Sequence, residues 1–360
     1  MLPWLTGSDG RVAADPGRVH TEGRMARVAV EEAREQVAHL FGARSREVVF
    51  TSGATESINA VAFGARGRPA VCAAVEHSAV REASARWASS VVVPDVDSFG
   101  RISIESVSGF LDGEERPGIV HCQWANHEVG TLQPVPAVVE AAREGGVLVH
   151  LDAAAAAGHD PIAFDALGAD LLSISAHKLG GPQGIGALLV RRGLRLDPFL
   201  LGGDQERARR AGLEHVVGIV GFGAACAALA TDGLVVEEAV ASGERTARLR
   251  DGALAHPGIF SYGDPDHAGR LPNLVCLGVE GVEAEPVLLG LDQAGIAAHS
   301  GSSCSSEALE PSPVLQAMGV DADRSLRLSV GWSSTDEDID AFLKAFPEVV
   351  TRLRALRSSP

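Results

Sequence analysis

The stretch VLVHLDAAAAAGHDPIAFDALGADLLSISAHKLGGPQGIGALLVR, residues 147–191, decides the fold. It holds three apolar runs of strand length: VLVHL (147–151), DLLSIS (170–175) and GALLVR (186–191). Runs with little polar alternation suit strands covered by helices on both faces. Toward the N-terminus, EVVFTS (47–52), PAVCAAV (69–75), SVVVP (90–94) and GIVHCQ (118–123) share this character. Amphipathic stretches separate many of them: Ala54–Arg66, Ser78–Ala88 and Val135–Glu144. The alternation predicts an α/β fold, a mostly parallel seven-stranded sheet wrapped by helices, over residues 15–250. The last third reads differently. Strand candidates at 273–280, 296–300 and 325–330 alternate with helices near Glu285–Ala294 and Pro313–Met318, and a helix from Asp336 to Leu356 closes the chain. This predicts a smaller α+β domain over 251–360, taken together with residues 1–14.

Composition narrows the function. The 360 residues carry a formal net charge of −16, which speaks against a general nucleic-acid binder and against a polybasic membrane-surface protein. No apolar run has the length of a membrane span, and VVGIVGFGAACAALA (216–230) reads as a tightly packed helix. The opening MLPWLTGSDGRV lacks the pattern of a signal peptide. The five cysteines are widely spread with no C-x-x-C pair, so free thiols in a cytoplasmic protein are expected. Of 31 basic residues only two are lysines, Lys178 and Lys344. Chemistry that needs an amine side chain has two candidates.

In open α/β sheets, ligands sit at the carboxyl ends of the strands. After EVVFTS comes Gly53-Ala54-Thr55-Glu56, a turn into a helix that suits either a phosphate or ordinary capping. After VLVHL comes Asp152, and after DLLSIS come Ser175, His177 and Lys178. If the two strands are neighbours, the acid and the amine share one sheet edge. An acid for a pyridinium N–H and an amine for an aldehyde are what pyridoxal phosphate needs. Lys344, in AFLKAF on the terminal amphipathic helix, is expected to be solvated. His77, after PAVCAAV, is placed either to stack on a planar cofactor or to serve structure. Arg327, inside SLRLSV, wants either a substrate carboxylate or an internal acid. Cys304 lies in the Gly/Ser-rich run SGSSCSS (300–306), not in a core pattern, whereas Cys72, Cys122, Cys226 and Cys276 read as packing thiols.

Together, FTSGATES (50–57), WANHEVGTLQP (124–134), the block 151–190, LGGDQER (201–207), SGSSCSSEALEPSPVLQAMG (300–319) and SLRLSVGWSSTDEDID (325–340) resemble the cysteine desulfurases. These are fold-type I, class V pyridoxal-phosphate enzymes, and the resemblance runs from Asp15 to Ile339. The interval from Cys304 to Glu310-Pro311-Ser312 is similar to the group with a long catalytic loop, which serves iron–sulfur assembly and thio-modification. The resemblance implies that Lys178 holds the cofactor aldehyde and Asp152 the ring nitrogen. It implies His77 stacked on the ring, and Ala54, Thr55, Ser175 and His177 around the phosphate. Asn126 and Arg327 would bind the substrate carboxylate, and Cys304 would be the nucleophile. It further implies L-cysteine as substrate, a sulfur-acceptor protein or thiol, and a homodimer. Selenocysteine lyase, another β-lyase, a class V aminotransferase and a non-catalytic scaffold are the alternatives on this frame. Cys304 speaks against an aminotransferase, and the joint presence of Lys178 and Cys304 against a scaffold. Three positions depart from the family pattern. The Tyr-Leu-Asp-x-Ala-Ala-Thr-Thr-Pro opening is missing or replaced. Ala155 stands for a Gln that hydrogen-bonds the cofactor ring oxygen. Leu213 stands for a Thr that reaches the partner subunit's phosphate.

Overall fold

A computed structural model describes residues 1–113, 115–300 and 312–357. The strands of the larger sheet are β1 (Val48–Thr51), β2 (Ala70–Val71), β3 (Val91–Val92), β4 (Ile119–Gln123), β5 (Leu148–Asp152), β6 (Leu171–Ser175) and β7 (Gly186–Val190). They form one seven-stranded sheet in the order β1-β7-β6-β5-β4-β2-β3. The chain from β2 to β6 pairs in parallel, as the helix-separated runs predict. Strand β7 is the exception and runs antiparallel to both β6 and β1. The link 176–185 holds only a 3-10 turn, too little for the helical crossover a parallel return requires. Gly186 opens β7 because a Cβ there would run into the Ile174 carbonyl and the Gly53 backbone.

A second sheet holds β8 (Ile259–Tyr262), β9 (Leu274–Val279), β10 (His299–Ser300) and β11 (Ser325–Ser329), in the order β10-β11-β9-β8. All its pairings are antiparallel. Its own core joins Leu277 and Leu326 to Phe342, Phe346 and Val349 of the helix Asp336–Arg357. Strand β8 escapes the sequence reading because its burial is uneven, and β10 is shorter than the predicted 296–300.

Two long helices also go beyond the sequence reading, Thr21–Leu40 and Leu234–Leu254. The first shows its core face at Ala26, Val30, Ala33 and Val37, all buried. It packs on the helix Val216–Leu229, where a Cβ at Gly223 would clash with Ala33. The small residues of that run thus serve close helix contact. Residues 1–14, grouped above with the smaller domain, behave otherwise: helix Leu2–Thr6 lies on Val216–Leu229, and Trp4 is buried in the core of the larger sheet. Among the described residues, no single helix is long and apolar enough to cross a membrane.

Candidate active site

Strands β5 and β6 are parallel neighbours with Asp152 opposite Ser173, so Asp152 and the turn after Ser175 reach the same sheet edge. Asp152 is 7% exposed, and its Oδ1 accepts a hydrogen bond from Ala154 N at 3.0 Å. Burial raises its pKa above the usual carboxylate range, while His77, His127 and Lys178 pull it back. A buried acid is therefore ringed by basic groups. Lys178 sits exposed on the 3-10 turn Ala176–Leu179, which ends at Gly180 with φ 82°. Only glycine takes that left-handed conformation without cost. Lys178 and His177 line a cavity of about 600 Å³, with Ala155, His127, His159, Asn273 and Arg327 also on its wall. Burial and the Lys178 charge lower the His177 pKa.

The turn after β1 is built differently. Gly53 has φ 152°, and Ala54 N donates to Ser175 Oγ at 2.8 Å, joining the helix Ala54–Gly64 to the end of β6. The N–H groups of Thr55 and Glu56 fall in the first helical turn, where no intrahelical acceptor exists. That end of the dipole favours an anion. Thr55 is exposed. The Glu56 carboxylate would oppose an anion, but Arg210 pairs with it at 2.9 Å and Ser52 N donates to it at 2.8 Å. These bonds outweigh desolvation and lower its pKa. Arg210 thus neutralises the acid in the first turn of this helix. Thr55 and Ser175 lie outside the cavity wall that holds Lys178.

His77 caps the helix Ser78–Trp87, its Nδ1 accepting from Ala79 N at 3.0 Å. That bond assigns the proton of the neutral ring to Nε2. The ring meets His127 edge to face, with centroids 5.0 Å apart. Asn126 is fully buried, and its amide is occupied: Nδ2 donates to Val75 O, and Oδ1 accepts from Glu128 N and Val129 N. One amide hydrogen remains for a carboxylate. Arg327, on β11 opposite Cys276, donates from Nη1 to His127 O at 3.1 Å. Cys304 lies outside the described residues. On one side of 301–311, Ser300 pairs with Leu326; on the other, Ser312 Oγ donates to buried Glu128 at 2.6 Å.

Sequence reasoning missed His127, His159 and Asn273. His127 had a signal, since it lies inside WANHEVGTLQP directly after a strand; the other two become neighbours of Lys178 only through folding. Cys72, Cys122, Cys226 and Cys276 are buried, and burial pushes each thiol pKa up, as expected of packing thiols. Lys344 is exposed on the helix Asp336–Arg357.

These donors fit pyridoxal phosphate. The ring nitrogen has a candidate partner in buried Asp152, an acid close to basic groups. The phosphate has a helix N-terminus whose neighbouring carboxylate is already neutralised. The aldehyde has Lys178 on a cavity wall.

Residues 4–342 match the family model of class-V aminotransferases. Over 371 residues the chain is 38% identical to cysteine desulfurase IscS of Methanosarcina thermophila, covering 98% of this chain and 88% of that one. It is 40% identical to a cysteine desulfurase of Gluconacetobacter diazotrophicus, covering 99% and 90%. Among solved structures, the NifS-like protein from Rickettsia africae superposes with a TM-score of 0.86 at 30% identity, covering 94% of this chain and 92% of that one. SspA, solved in complex with cysteine, superposes with a TM-score of 0.77 at 27% identity, covering 91% and 92%. Fold and near full-length similarity agree: the chain belongs to the class-V aminotransferase family of pyridoxal-phosphate enzymes, among its cysteine desulfurases.

Proposed function

We propose that this chain takes sulfur from L-cysteine, releases alanine, and hands the sulfur on as a persulfide carried by Cys304. The observation that carries the reading is buried Asp152 and exposed Lys178 at the ends of adjacent parallel strands, beside a cavity walled by Arg327. When bound, pyridoxal phosphate withdraws electrons from the substrate Cα and so eases bond breaking at Cα and Cβ. Asp152 holds the ring nitrogen, Lys178 the aldehyde, and His77 the ring face. The turn at Ala54 and Thr55, with Ser175 and His177, holds the phosphate. Arg327 presents its planar fork to the substrate carboxylate, with the remaining Asn126 amide hydrogen as a second donor. Lys178 Nζ and His77 Nε2 are the groups that move protons.

Cys304 supplies the nucleophile. Its thiolate attacks the substrate sulfur. A sulfur–sulfur bond forms, the carbon–sulfur bond breaks, and its electron pair stays on carbon, where a proton completes the alanine methyl. An ordinary thiol, pKa about 8.5, is only a few per cent ionised at neutral pH, so Cys304 needs a local base or dipole to react fast. The acceptor is a protein or thiol in iron–sulfur assembly or thio-modification, and the working form is a cytoplasmic homodimer. Exposed Leu200, Leu201 and Leu213, in the segment between β7 and the helix Val216–Leu229, support an apolar contact between two copies.

The test is direct. Purified protein should absorb in the visible once pyridoxal phosphate is added, and should make alanine and sulfide from L-cysteine in equal amounts under a reducing thiol. Cys304→Ala should keep the absorbance and lose sulfide release. A chain that stays colourless sinks the cofactor reading, and turnover untouched by Cys304→Ala sinks the persulfide step.

A further inference from the structure

We propose that His127 is a positioning residue of the active site, orienting the His77 ring and offsetting the carboxylates around Asp152. The proposal rests on the functional reading above and adds a residue to it.

The backbone of His127 is clamped from both sides. Asn126 Oδ1 gathers the N–H groups of Glu128 and Val129, and Arg327 Nη1 binds the His127 carbonyl. The imidazole, with 16% of its side chain exposed, is held in turn. Nε2 lies 3.5 Å from Glu128 Oε1, and Glu128 is fixed by the short bond from Ser312 Oγ. The ring meets His77 at 63°. Because His77 Nδ1 is committed to Ala79 N, the contact with His127 constrains the rest of that ring.

The electrostatics give the imidazole a second task. Two buried carboxyl groups interact here, Glu76 in the turn after β2 and Asp152 at the end of β5, and buried Glu128 lies beside His127. Glu76 accepts a bond from Gln123 N, but its Oε2 has no partner among the described residues. Burial raises the Glu76 pKa to about 8, and the Asp152 charge adds to the effect, while His127 and Arg81 oppose it. Asp152 feels His77, His127 and Lys178. The charged or titratable groups acting here are therefore Glu76, Asp152 and Glu128 against His77, His127, Lys178, Arg81 and Arg327. His127 touches both the His77 ring and a buried carboxylate. An apolar ring would satisfy the packing alone; only an imidazole also offsets the acids.

The experiment uses the holoenzyme and the variants His127→Phe and His127→Gln, with folding checked by thermal melts. Bound-cofactor absorbance is followed from pH 6 to 9 (a range set by ordinary imidazole and thiol pKa values). Losing the imidazole should move the midpoint of the absorbance change by about half a unit or more. It should lower kcat by about tenfold, with KM for L-cysteine within about twofold. His127→Phe keeps the edge contact, so a purely structural ring would leave the midpoint unmoved. Wild-type midpoint and kcat in any variant that folds would overturn the proposal. If His127→Phe fails to fold, His127→Gln decides. A wild-type protein that binds no pyridoxal phosphate would instead overturn the functional reading and this inference together.

Discussion

Asp152 and Lys178 show how little side-chain chemistry the site has to spare. The amine has one alternative in the chain, and Lys344 stands on an exposed helix face. Lys178→Ala is therefore expected to abolish the visible absorbance of the loaded protein and at least about 10³-fold of turnover, while Lys344→Ala changes neither; spectra and alanine assays on the two variants check this. Asp152→Asn removes the charge that steadies a protonated ring nitrogen. It should weaken cofactor binding and lower kcat by about 10² or more, measured by cofactor titration and initial rates. Departures from the family pattern also act at this scale. Ala155 lies on the cavity wall, and Arg210, in the same segment as Leu213, binds Glu56 of its own chain.

The segment that carries Arg210 illustrates how an element is held in an unfavourable conformation. Glu206, Arg207 and Ala208 all have positive φ, at 47°, 59° and 59°. Non-glycine residues pay roughly 1–2 kcal/mol each for that region. What offsets the strain is buried. Arg34 grips the Glu206 carboxylate through two bonds of 2.7 and 2.8 Å, and Phe50 N donates to the same carboxylate at 2.9 Å. Removing one partner leaves the other charge stranded. Glu206→Ala should destabilise the fold by about 3–5 kcal/mol, read from urea unfolding; a loss below about 1 kcal/mol would mean that the pair behaves as if solvent-exposed. Helix packing gives a second prediction at this scale. Phe222 is fully buried and meets Phe50 edge-on at 6.4 Å. Phe222→Ala should cost about 3–5 kcal/mol through the cavity it leaves, checked by the same unfolding experiment.

Across the whole molecule, the buried histidines decide how the fold answers acid. His121 on β4 and His150 on β5 stand opposite each other, with Nδ1 atoms 2.9 Å apart, and His150 Nε2 lies 2.7 Å from Ser173 Oγ. Burial lowers the His121 pKa to about 4 and pushes His150 well below its ordinary value. An unfolded chain takes up these protons near pH 6.5, so between about pH 6.5 and 4 it binds more protons than the native chain. Stability from this source is intact above that window and falls as pH drops through it, by about 3 kcal/mol for His121 alone. Glu76 works in the opposite sense, because its raised pKa lets the native state bind a proton first. The diagnostic is therefore a comparison: the stability difference between wild type and His121→Leu should shift in favour of the variant as pH falls from 7 to 4. A pH-independent difference would contradict the buried-histidine account.

The sequence by itself determined the local terms. Apolar runs placed the strands of the larger sheet, amphipathic spacing placed the helices between them, and a count of two lysines, one of them at a strand end, singled out Lys178. These signals are legible because each resides in a few neighbouring residues. Tertiary structure alone decided which distant groups meet. It turned β7 antiparallel, buried Asn126 with its amide bonded to Val75, paired Arg210 with Glu56, and set His127 against His77. Such facts depend on strand order and on packing between residues far apart in sequence, where burial reshapes the energy of every charge. Short-range periodicity carries no record of either.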